Sequence, residues 1–288
     1  MSLTLEQLIR RHPRWVVLSG AGLSAASGIP TYRDDSGQWQ RSDPIQHAEF
    51  VKDPAQRRRY WARSMAGWRW VGRARPTAAH KALAGLEQQG HVAQLVTQNV
   101  DRLHQRAGHR QVIDLHGRLD RVRCLHCGDF TDRADLQSVL RTLNPDFETT
   151  LAEPQPDGDA AVVDTLVEAF RVPSCDVCAG VLMPDVVFFG GTVPRERVEA
   201  VSQAIDAADG LLAVGSSLMV WSGFRFCRQA VADGKPLVII NQGVTRADDL
   251  ATLKLEADCQ QMLPALLSSL ADGVPAAPTV AAGVPHSS

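Results

Sequence analysis

The stretch WVVLSGAGLSA at residues 15–25 decides the fold. Its first half is an apolar run closed by small residues, which is typical of a buried strand in a parallel sheet. Its second half matches the turn G-x-G-x-x-G/A, in which glycines such as Gly20 and Gly22 let backbone N–H groups approach a pyrophosphate at a helix N-terminus. The same letters also fit a tight strand-to-helix turn that binds nothing. The stretch therefore indicates an α/β domain with a candidate nucleotide site.

The rest of the chain repeats this alternation of strand and helix. Four further apolar runs are VAQLVTQ (92–98), QVIDLHG (111–117), GLLAVGSS (210–217) and PLVIIN (236–241). Helix-like stretches lie between them at residues 77–89, 194–208 and 221–232. We therefore predict a doubly wound, Rossmann-like parallel sheet whose ligands bind at the carboxyl ends of the strands. The loop sequence SGIPTYRDDSGQW after the glycine turn departs from the layout of an ordinary dehydrogenase.

Two insertions and a tail interrupt this pattern. Residues 43–75 are rich in arginine and tryptophan without a strand pattern, so we predict a helical insertion. Residues 118–184 enclose two cysteine pairs and predict a small metal-binding module. Residues 271–288 are rich in Ala, Pro, Gly and Val, which predicts a disordered tail. The sheet domain is then assembled from residues 1–42, 76–117 and 185–270.

Composition and charge exclude several classes of protein. A chain of 288 residues with 44% hydrophobic residues can bury a core, which excludes disorder and fibres. Thirty basic against thirty-two acidic residues give a net charge of -2, so we expect neither direct nucleic-acid binding nor a membrane-coating surface. No apolar stretch approaches the roughly 18 residues of a spanning helix, and the start of the chain lacks the pattern of a secretory signal. We expect a cytoplasmic protein.

Two C-x-x-C pairs are the strongest chemical signal. They are formed by Cys124, Cys127, Cys175 and Cys178. Four thiolates select zinc and fill its coordination sphere, so we predict one structural Zn²⁺ with no position open for catalysis. A thioredoxin-like redox pair would need only one C-x-x-C. A nucleic-acid-binding ribbon is the other alternative, although Asp120 and Asp129 offset the positive charge of the basic residues near the first pair.

Polar residues at the ends of two predicted strands are candidates for chemistry. Gln98, Asn99 and Asp101 follow the second strand, and their amides and carboxylate suit a carboxamide and ribose hydroxyls. His116 closes the next strand, where an imidazole is placed for general-base work near neutral pH. A structural histidine is an equally good interpretation of the pattern alone.

Taken together, these segments resemble the sirtuin family, the NAD-dependent protein lysine deacylases. The matching stretches are GAGLSAASGIPTYR (20–33), TQNVDRLH (97–104), LHG (115–117), the two C-x-x-C pairs, PDVVFFG (184–190), GSSL (215–218) and IIN (239–241). They run in family order over roughly residues 10 to 270. Further stretches, DPIQHAEF (43–50), RRYWARSMAGW (58–68) and TRADDLATLKLEADC (245–259), resemble the class II branch.

The resemblance implies a sheet domain that holds NAD, a zinc module beside it, and acyl-lysine entering the cleft between them. His116 and Asn99 would be the catalytic residues, with His116 as the base and Asn99 beside the nicotinamide. The acyl group would pass to ADP-ribose to give nicotinamide, free lysine and O-acyl-ADP-ribose. The implied NAD contacts are Gly20, Ala21, Gly22, Ser24, Ala25, Gly28, Ile29, Pro30, Tyr32, Arg33, Trp39, Gln98, Asn99, Asp101, Gly215, Ser216, Ser217, Asn241, Gln242, Gly243 and Cys259.

Two alternatives to deacylation stay open at this point. Mono-ADP-ribosyl transfer would use the same cofactor with a different nucleophile, and a zinc protein that senses NAD would bind it without turnover. The sequence departs from the commoner family pattern at Tyr32, at Gly191 and at Trp221-Ser222, which leaves acyl and peptide preference open.

One pair of residues bears on the acyl group. Tyr60 and Arg63 stand three apart in a predicted helix and therefore on one face. Their Y-x-x-R spacing resembles the pair with which class III sirtuins grip an acidic acyl chain. A solvated basic face is the alternative, because three arginines precede Tyr60.

Overall fold

The computed structural model describes residues 4–32, 34, 38, 44–147, 156, 159, 160, 162 and 164–271. Its larger sheet has six parallel strands in the order β3-β2-β1-β7-β8-β9. Their bounds are β1 Trp15–Ser19, β2 Val92–Thr97, β3 Val112–Asp114, β7 Gly210–Val214, β8 Leu237–Ile240 and β9 Leu253–Leu255. From the central β1 the chain winds outward on one side to β2 and β3 and on the other to β7, β8 and β9. The strand order therefore reverses between β1 and β7, where such sheets bind their ligands.

Helices cover both faces of this sheet. One face carries α1 Leu5–Arg11, α4 Ala78–Gln88 and α10 Cys259–Ala271, and the other carries α8 Arg195–Ala207 and α9 Trp221–Ala232. Every residue of β1 is buried, with Trp15 and Val17 in the first core and Val16 and Leu18 in the second. This alternation explains why the strand reads as an unbroken apolar run.

A second, smaller layer packs beside the sheet. It contains the antiparallel strands β4 Gly117–Cys124, β5 Phe130–Asp132 and β6 Leu182–Val186. The remaining α-helices of the described residues are α2 His47–Lys52, α3 Pro54–Arg73, α5 Leu103–Arg106, α6 Arg133–Leu143 and α7 Asp164–Glu168. Phe50, Trp61 and Met65 from α2 and α3 share one core with Val122 and Leu182 of the small sheet.

A buried cation joins the helical insertion to the small sheet's helix. Arg133 at the start of α6 is 1% exposed, and its guanidinium donates to Gln137 Oε1 at 2.7 Å and to the Ser64 carbonyl at 3.1 Å. Its guanidinium carbon lies 4.8 Å from the centre of the Trp68 ring. Burial lowers the pKa of Arg133 to about 10, so the side chain stays charged at neutral pH. Hydrogen bonds and aromatic faces stabilise this charge.

The fold class predicted from the sequence is confirmed, with one local correction. The glycine turn leads into two short 3₁₀ turns, Ala21–Leu23 and Ala25–Ser27, and not into an α-helix. The helices α1 and α10, the strand β9 and the antiparallel sheet were not predicted. Of the tail predicted for residues 271–288, Ala271 belongs to α10 and the rest lies outside the described residues. None of the described helices is long and apolar enough to cross a membrane.

Candidate active site

A cavity of about 1100 Å³ opens at the carboxyl edge of the parallel sheet, between that sheet and the smaller layer. Of the residues predicted from the sequence, its walls include Gly20, Ala21, Gly22, Ala25, Tyr32, Tyr60, Arg63, Gln98, Asn99, His116, Gly215, Ser216, Ser217, Asn241, Gln242 and Cys259. We call this space the central cavity. It lies at the point where the strand order reverses, so the fold places the cavity where a dinucleotide would be expected.

Other predicted contacts do not line the central cavity. Ser24 and Asp101 lie behind Asn99, Ile29 packs with Ala74 and Leu103, and Gly28 ends the second 3₁₀ turn with φ of +80°. Pro30 and Gly243 are likewise absent from the cavity wall. Arg33 and Trp39 lie outside the described residues. The role of all these residues as NAD contacts stays a prediction.

The turn after β1 requires glycine because it packs directly against the loop after β7. A Cβ on Gly20 would lie 2.6 Å from Ser216 Cβ, and one on Gly22 would lie 3.0 Å from the Gly215 carbonyl oxygen. The Gly20 N–H donates to the Val214 carbonyl at 3.1 Å, and the Gly22 N–H donates to the Gly215 carbonyl at 2.8 Å. These two N–H groups therefore bond to backbone carbonyls of the neighbouring loop. The approach of other N–H groups of the turn to a pyrophosphate stays a prediction. The glycines serve the close approach of the loops after β1 and β7.

His116 lies between β3 and β4 with both ring nitrogens engaged. Its Nδ1 is 3.0 Å from the Gln98 carbonyl oxygen, and its Nε2 is 2.7 Å from Ser222 Oγ. Because a carbonyl only accepts, the proton of the neutral ring is assigned to Nδ1, which leaves the Nε2 lone pair toward the serine hydroxyl. Burial lowers the pKa of His116 to about 4, so the ring is neutral at pH 7.

The backbone fixes the position of this histidine. Gly117 has φ of +85°, and a Cβ there would collide with the carbonyl oxygen of Asp185 on β6. The His116 carbonyl accepts from the Val187 N–H at 2.8 Å. Only glycine allows β4 to leave the parallel sheet at this angle, so the sequence LHG holds the imidazole at the junction of the two sheets.

Asn99 is held by a buried chain of hydrogen bonds. Its Nδ2 donates to the Gly20 carbonyl at 3.0 Å and to Ser24 Oγ at 3.1 Å, and the Ser24 hydroxyl donates to Asp101 Oδ2 at 2.7 Å. Asp101 Oδ1 accepts from the Leu103 N–H at 2.8 Å. Both Nδ2 hydrogens are used, so the Asn99 side-chain oxygen is the group that can accept from a ligand. Asp101 acts on the cavity through Ser24 and Asn99.

Carboxyl ends of β2, β7 and β8 supply further polar groups. Gln98 Nε2 donates to Ser216 Oγ at 2.8 Å, which ties the loop after β2 to the loop after β7. Cys259, at the start of α10, places its thiol 3.6 Å from the Ile240 carbonyl oxygen. Burial raises the pKa of the Cys259 thiol to about 11, so it is a neutral wall group.

Tyr60 and Arg63 of α3 line the far wall of the same cavity. Arg63 Nη2 lies 2.6 Å from Asp159 Oδ2, and its Nε donates to the Ala160 carbonyl at 3.2 Å. The Tyr60 ring meets Phe50 and Phe188 edge to face, with ring centres 5.3 and 5.2 Å apart. Burial raises the pKa of Asp159 to about 6. Sequence reasoning did not identify Asp159, and it marked Ser222 only as a departure from the family pattern and not as a partner of His116, since nothing local marks a contact between residues that are distant in the chain.

Four cysteines converge at the end of the small sheet. The sulfur atoms of Cys124, Cys127, Cys175 and Cys178 all lie within 4.8 Å of one another, with two pairs at 3.5 and 3.7 Å. Zinc bound to four sulfurs at about 2.3 Å requires sulfur separations of about 3.8 Å. The side chains therefore fit one tetrahedral zinc ion. Because the two pairs meet in one cluster, they do not form two separate redox motifs.

Comparisons with known proteins agree with this site. A sequence profile of the Sir2 family matches residues 20–222. The NAD-dependent protein deacetylase 2 of Bradyrhizobium diazoefficiens is 52% identical over 264 residues, which cover 92% of this chain and 97% of the relative. The NAD-dependent protein deacetylase of Bordetella bronchiseptica is 53% identical over 255 residues, which cover 88% and 93%.

Solved structures extend the likeness to three dimensions. A structure described as Sir2 with a p53 peptide and NAD+ has a TM-score of 0.71 and 30% identity, with 91% of this chain and 95% of that chain covered. A Sir2 complex with deacetylated p53 peptide and 3'-O-acetyl ADP ribose has a TM-score of 0.73 and 30% identity, with 92% and 96% covered.

Proposed function

The chain belongs to the Sir2 family, and from that premise we propose that His116 is the general base for deacylation in the central cavity. The protein is an NAD-dependent protein lysine deacylase, and its substrates are proteins that carry acyl-lysine. The observation that carries the residue assignment is the position of His116. It lines the cavity with a neutral ring, its Nδ1 held by a backbone carbonyl and its Nε2 directed at a hydroxyl.

NAD, when bound, supplies the ADP-ribosyl group that accepts the acyl group, so the products are nicotinamide, free lysine and O-acyl-ADP-ribose. The cavity fits such a ligand because it has a volume of about 1100 Å³ and its walls carry glycines together with amide and hydroxyl side chains. Gly215, Ser216, Ser217, Asn241, Gln242 and Cys259 would hold the adenosine half. The Asn99 side-chain oxygen would accept from the nicotinamide carboxamide.

With NAD bound, the Nε2 of His116 would accept the proton of a ribose hydroxyl. The Gln98 carbonyl accepts from Nδ1–H throughout, which keeps the ring in one orientation and stabilises the positive charge that the ring acquires. Ser222 occupies Nε2 before the ligand binds and must give up or share that contact when the ribose hydroxyl arrives. Its hydroxyl is therefore assigned to positioning the ring.

The zinc ion supplies no chemistry to this reaction. Four cysteine ligands leave no position open for water or substrate, so the metal stabilises the small sheet. The cysteines must be reduced to bind it, which supports a cytoplasmic location for the protein. Fractionation of the producing cells, with the protein followed by antibody, tests that location.

Tyr60 and Arg63 are proposed to contact the acyl group. Both line the central cavity with His116, and Arg63 is a cation whose partner, Asp159, belongs to the same wall. A carboxylate on the acyl chain would take the place of Asp159 at the guanidinium. This assignment predicts a preference for acidic acyl groups.

One product assay tests the proposed function. We expect an acetyl-lysine peptide and NAD to give equal amounts of nicotinamide, deacetylated peptide and O-acetyl-ADP-ribose. Nicotinamide release with ADP-ribosylated protein and no deacetylated peptide would assign the cavity to ADP-ribosyl transfer. Binding of NAD without any release of nicotinamide would assign it to sensing.

A further inference from the structure

An exposed aromatic and arginine cluster borders the central cavity beside His116. Trp221, the first residue of α9, is 48% exposed and lines the cavity mouth with Val220 and the 56% exposed Val244. The next residue along the chain is Ser222, whose hydroxyl contacts the His116 ring. A substrate lysine that reaches His116 therefore brings its neighbouring residues to this surface.

Arginine side chains surround Trp221. The guanidinium carbon of Arg228 lies 5.7 Å from the centre of the Trp221 ring, and that of Arg246 lies 5.5 Å from it. Arg246 also lies 4.5 Å from the centre of the Phe224 ring and donates to the Met219 carbonyl at 3.1 Å. Contacts of this kind hold a guanidinium against an aromatic face while its N–H groups stay available to an acceptor. We call Arg225, Arg228 and Arg246 the arginine rim, since Arg225 also lines the cavity mouth.

The charge of this rim is not neutralised within the described part of the chain. There, no carboxylate lies within 4.0 Å of any of the three guanidinium groups, whereas Arg63 and Arg195 each have a carboxylate partner at 2.6 Å. The carboxylate of Asp248, close in sequence to Arg246, binds Lys254 at 2.6 Å and the Thr245 hydroxyl. The rim therefore presents a net positive charge.

Acidic groups of the described cavity wall stand elsewhere. They are Asp34, Glu49, Asp159 and Asp258, which belong to the loop after the glycine turn, to α2, to the segment before α7 and to the turn before α10. The arginine rim therefore lies on the side of the mouth formed by α9 and the loop after β8, whereas the other arginines of the cavity wall, Arg59 and Arg63, belong to α3, and Arg63 is paired with Asp159. A substrate segment with negative charge on one side of its lysine is complementary to this arrangement.

We propose that the arginine rim binds acidic residues that flank the acyl-lysine, so that the protein prefers acyl-lysines in acidic segments of its substrates. The proposal rests on the proposed function, because it requires acyl-lysine to reach His116. Aspartate and glutamate side chains would accept from the guanidinium groups, and Trp221 would supply apolar contact area to the peptide. Neither contact uses a group that is needed for proton transfer.

The expected size of the effect follows from the exposure of the rim. Ion pairs between exposed side chains are worth about 1.4- to 5-fold each, so two flanking carboxylates would raise kcat/KM about 2- to 25-fold over a neutral peptide. Salt screens such exposed pairs, and the preference must shrink as ionic strength rises.

The test uses three acetyl-lysine peptides that differ only in two flanking residues, which are aspartate, serine or arginine. We expect kcat/KM to fall in that order at low salt, with the spread reduced at high salt. Arg228→Glu and Arg246→Glu should each lower the ratio of the aspartate to the serine peptide. Arg110→Glu is the matched control, because Arg110 is exposed before β3, at the opposite edge of the sheet.

Outcomes of this test separate the preference from the activity. Equal kcat/KM for the three peptides in the wild-type protein would overturn the rim proposal and leave the deacylase activity standing. The rim proposal would also be overturned if Arg228→Glu left the aspartate-to-serine ratio of kcat/KM unchanged, or if Arg110→Glu changed that ratio as much as the rim variants do. Because the Arg228 side chain is exposed, we expect Arg228→Glu to fold. No turnover of any peptide would refute the deacylase activity and the rim proposal with it.

Discussion

Two hydrogen bonds hold the imidazole of His116, and they differ in kind. The bond to the Gln98 carbonyl is made by backbone and would be retained through the proposed reaction, whereas the bond to Ser222 is made at the nitrogen that would accept the proton. The serine hydroxyl donates to the neutral ring and stabilises it. At the scale of single residues, we therefore expect Ser222 to fix the orientation of the His116 ring and to lower its pKa.

Replacing Ser222 by alanine tests this role. We expect kcat to fall a few-fold and the acid limb of the kcat/KM profile to move up by as much as about one pH unit, because a lost hydrogen bond of about 1 kcal/mol no longer favours the neutral ring. Ser222→Thr keeps a hydroxyl and should restore the wild-type profile. A Ser222→Ala profile that superimposes on the wild type would show that the hydroxyl does not act on His116.

A second prediction for a single residue concerns the contact of Arg63 with the acyl group. If its guanidinium reads the acyl group, glutaryl-lysine peptides should gain over acetyl-lysine peptides in the wild-type protein by about 10- to 150-fold, as a charge-assisted hydrogen bond allows. Arg63→Met should remove that gain. Arg195→Met, on the surface of α8, serves as the control. If Arg63→Met leaves the ratio of kcat/KM for the glutaryl and acetyl peptides unchanged, Arg63 does not bind the acyl group and serves only in its ion pair with Asp159.

The residues that sequence reasoning identified share one property. His116, Asn99 and the glycines each follow a recognisable strand, so local pattern placed them at the correct edge of the sheet. Ser222, Asp159 and the buried Arg133 contact partners that are distant in the chain. His116 is 106 positions from Ser222, Arg63 is 96 positions from Asp159, and Ser64 is 69 positions from Arg133. Such pairings carry no local signal, and the sequence alone could not predict them.

At the scale of elements, the cysteine cluster stabilises a sheet too small to stabilise itself. The strands β5 and β6 contribute three and five residues, and two of the four cysteines lie just before β6. Zinc that binds only the folded state adds its binding free energy to folding. The small sheet also supplies the residues after β6 that line the central cavity.

Removal of one zinc ligand should therefore unfold the small layer. We expect Cys175→Ala to lose zinc and to aggregate or unfold, as followed by elemental analysis and thermal unfolding. Cys227→Ala is the control, since Cys227 is buried in α9 and away from the cluster. A soluble, zinc-free Cys175→Ala protein with normal activity would contradict a structural role for the metal.

Three elements that were not predicted from the sequence each have a physical reason. The strand β9 has only three residues, each half-buried, and so gives no apolar run. The helix α10 contains Pro264, a residue that argues against a helix interior because it lacks the backbone donor. The turn after β1 forms 3₁₀ geometry because its N–H groups bond to neighbouring backbone. Tertiary packing decides all three.

At the scale of the whole molecule, three histidines are buried together under the parallel sheet's edge. The rings of His80 and His104 are 4.7 Å apart, and those of His104 and His109 are 5.2 Å apart. Burial lowers the pKa of all three, that of His80 to about 3. In the unfolded chain, histidine takes up a proton near pH 6.5.

Folding stability should consequently fall in mild acid. Above pH 6.5 both states hold these rings neutral, and below it the unfolded state binds more protons, so the free energy of unfolding decreases as the pH drops toward 3. His80 alone accounts for about 2 kcal/mol between pH 7.5 and pH 5. Urea unfolding at the two pH values measures this loss, with His12→Gln as a control outside the cluster. Equal stability at pH 7.5 and pH 5 would contradict the assignment.

Replacement of His116 by alanine tests whether its imidazole is the general base for deacylation. The measurement pairs the affinity for NAD, by calorimetry, with the rate of formation of deacylated peptide and O-acyl-ADP-ribose. We expect NAD affinity to be largely retained while turnover falls by about 10²- to 10⁴-fold, because the proposed role of the imidazole is to transfer a proton and not to hold the cofactor. Deacylation at the wild-type rate in the His116→Ala protein would contradict it.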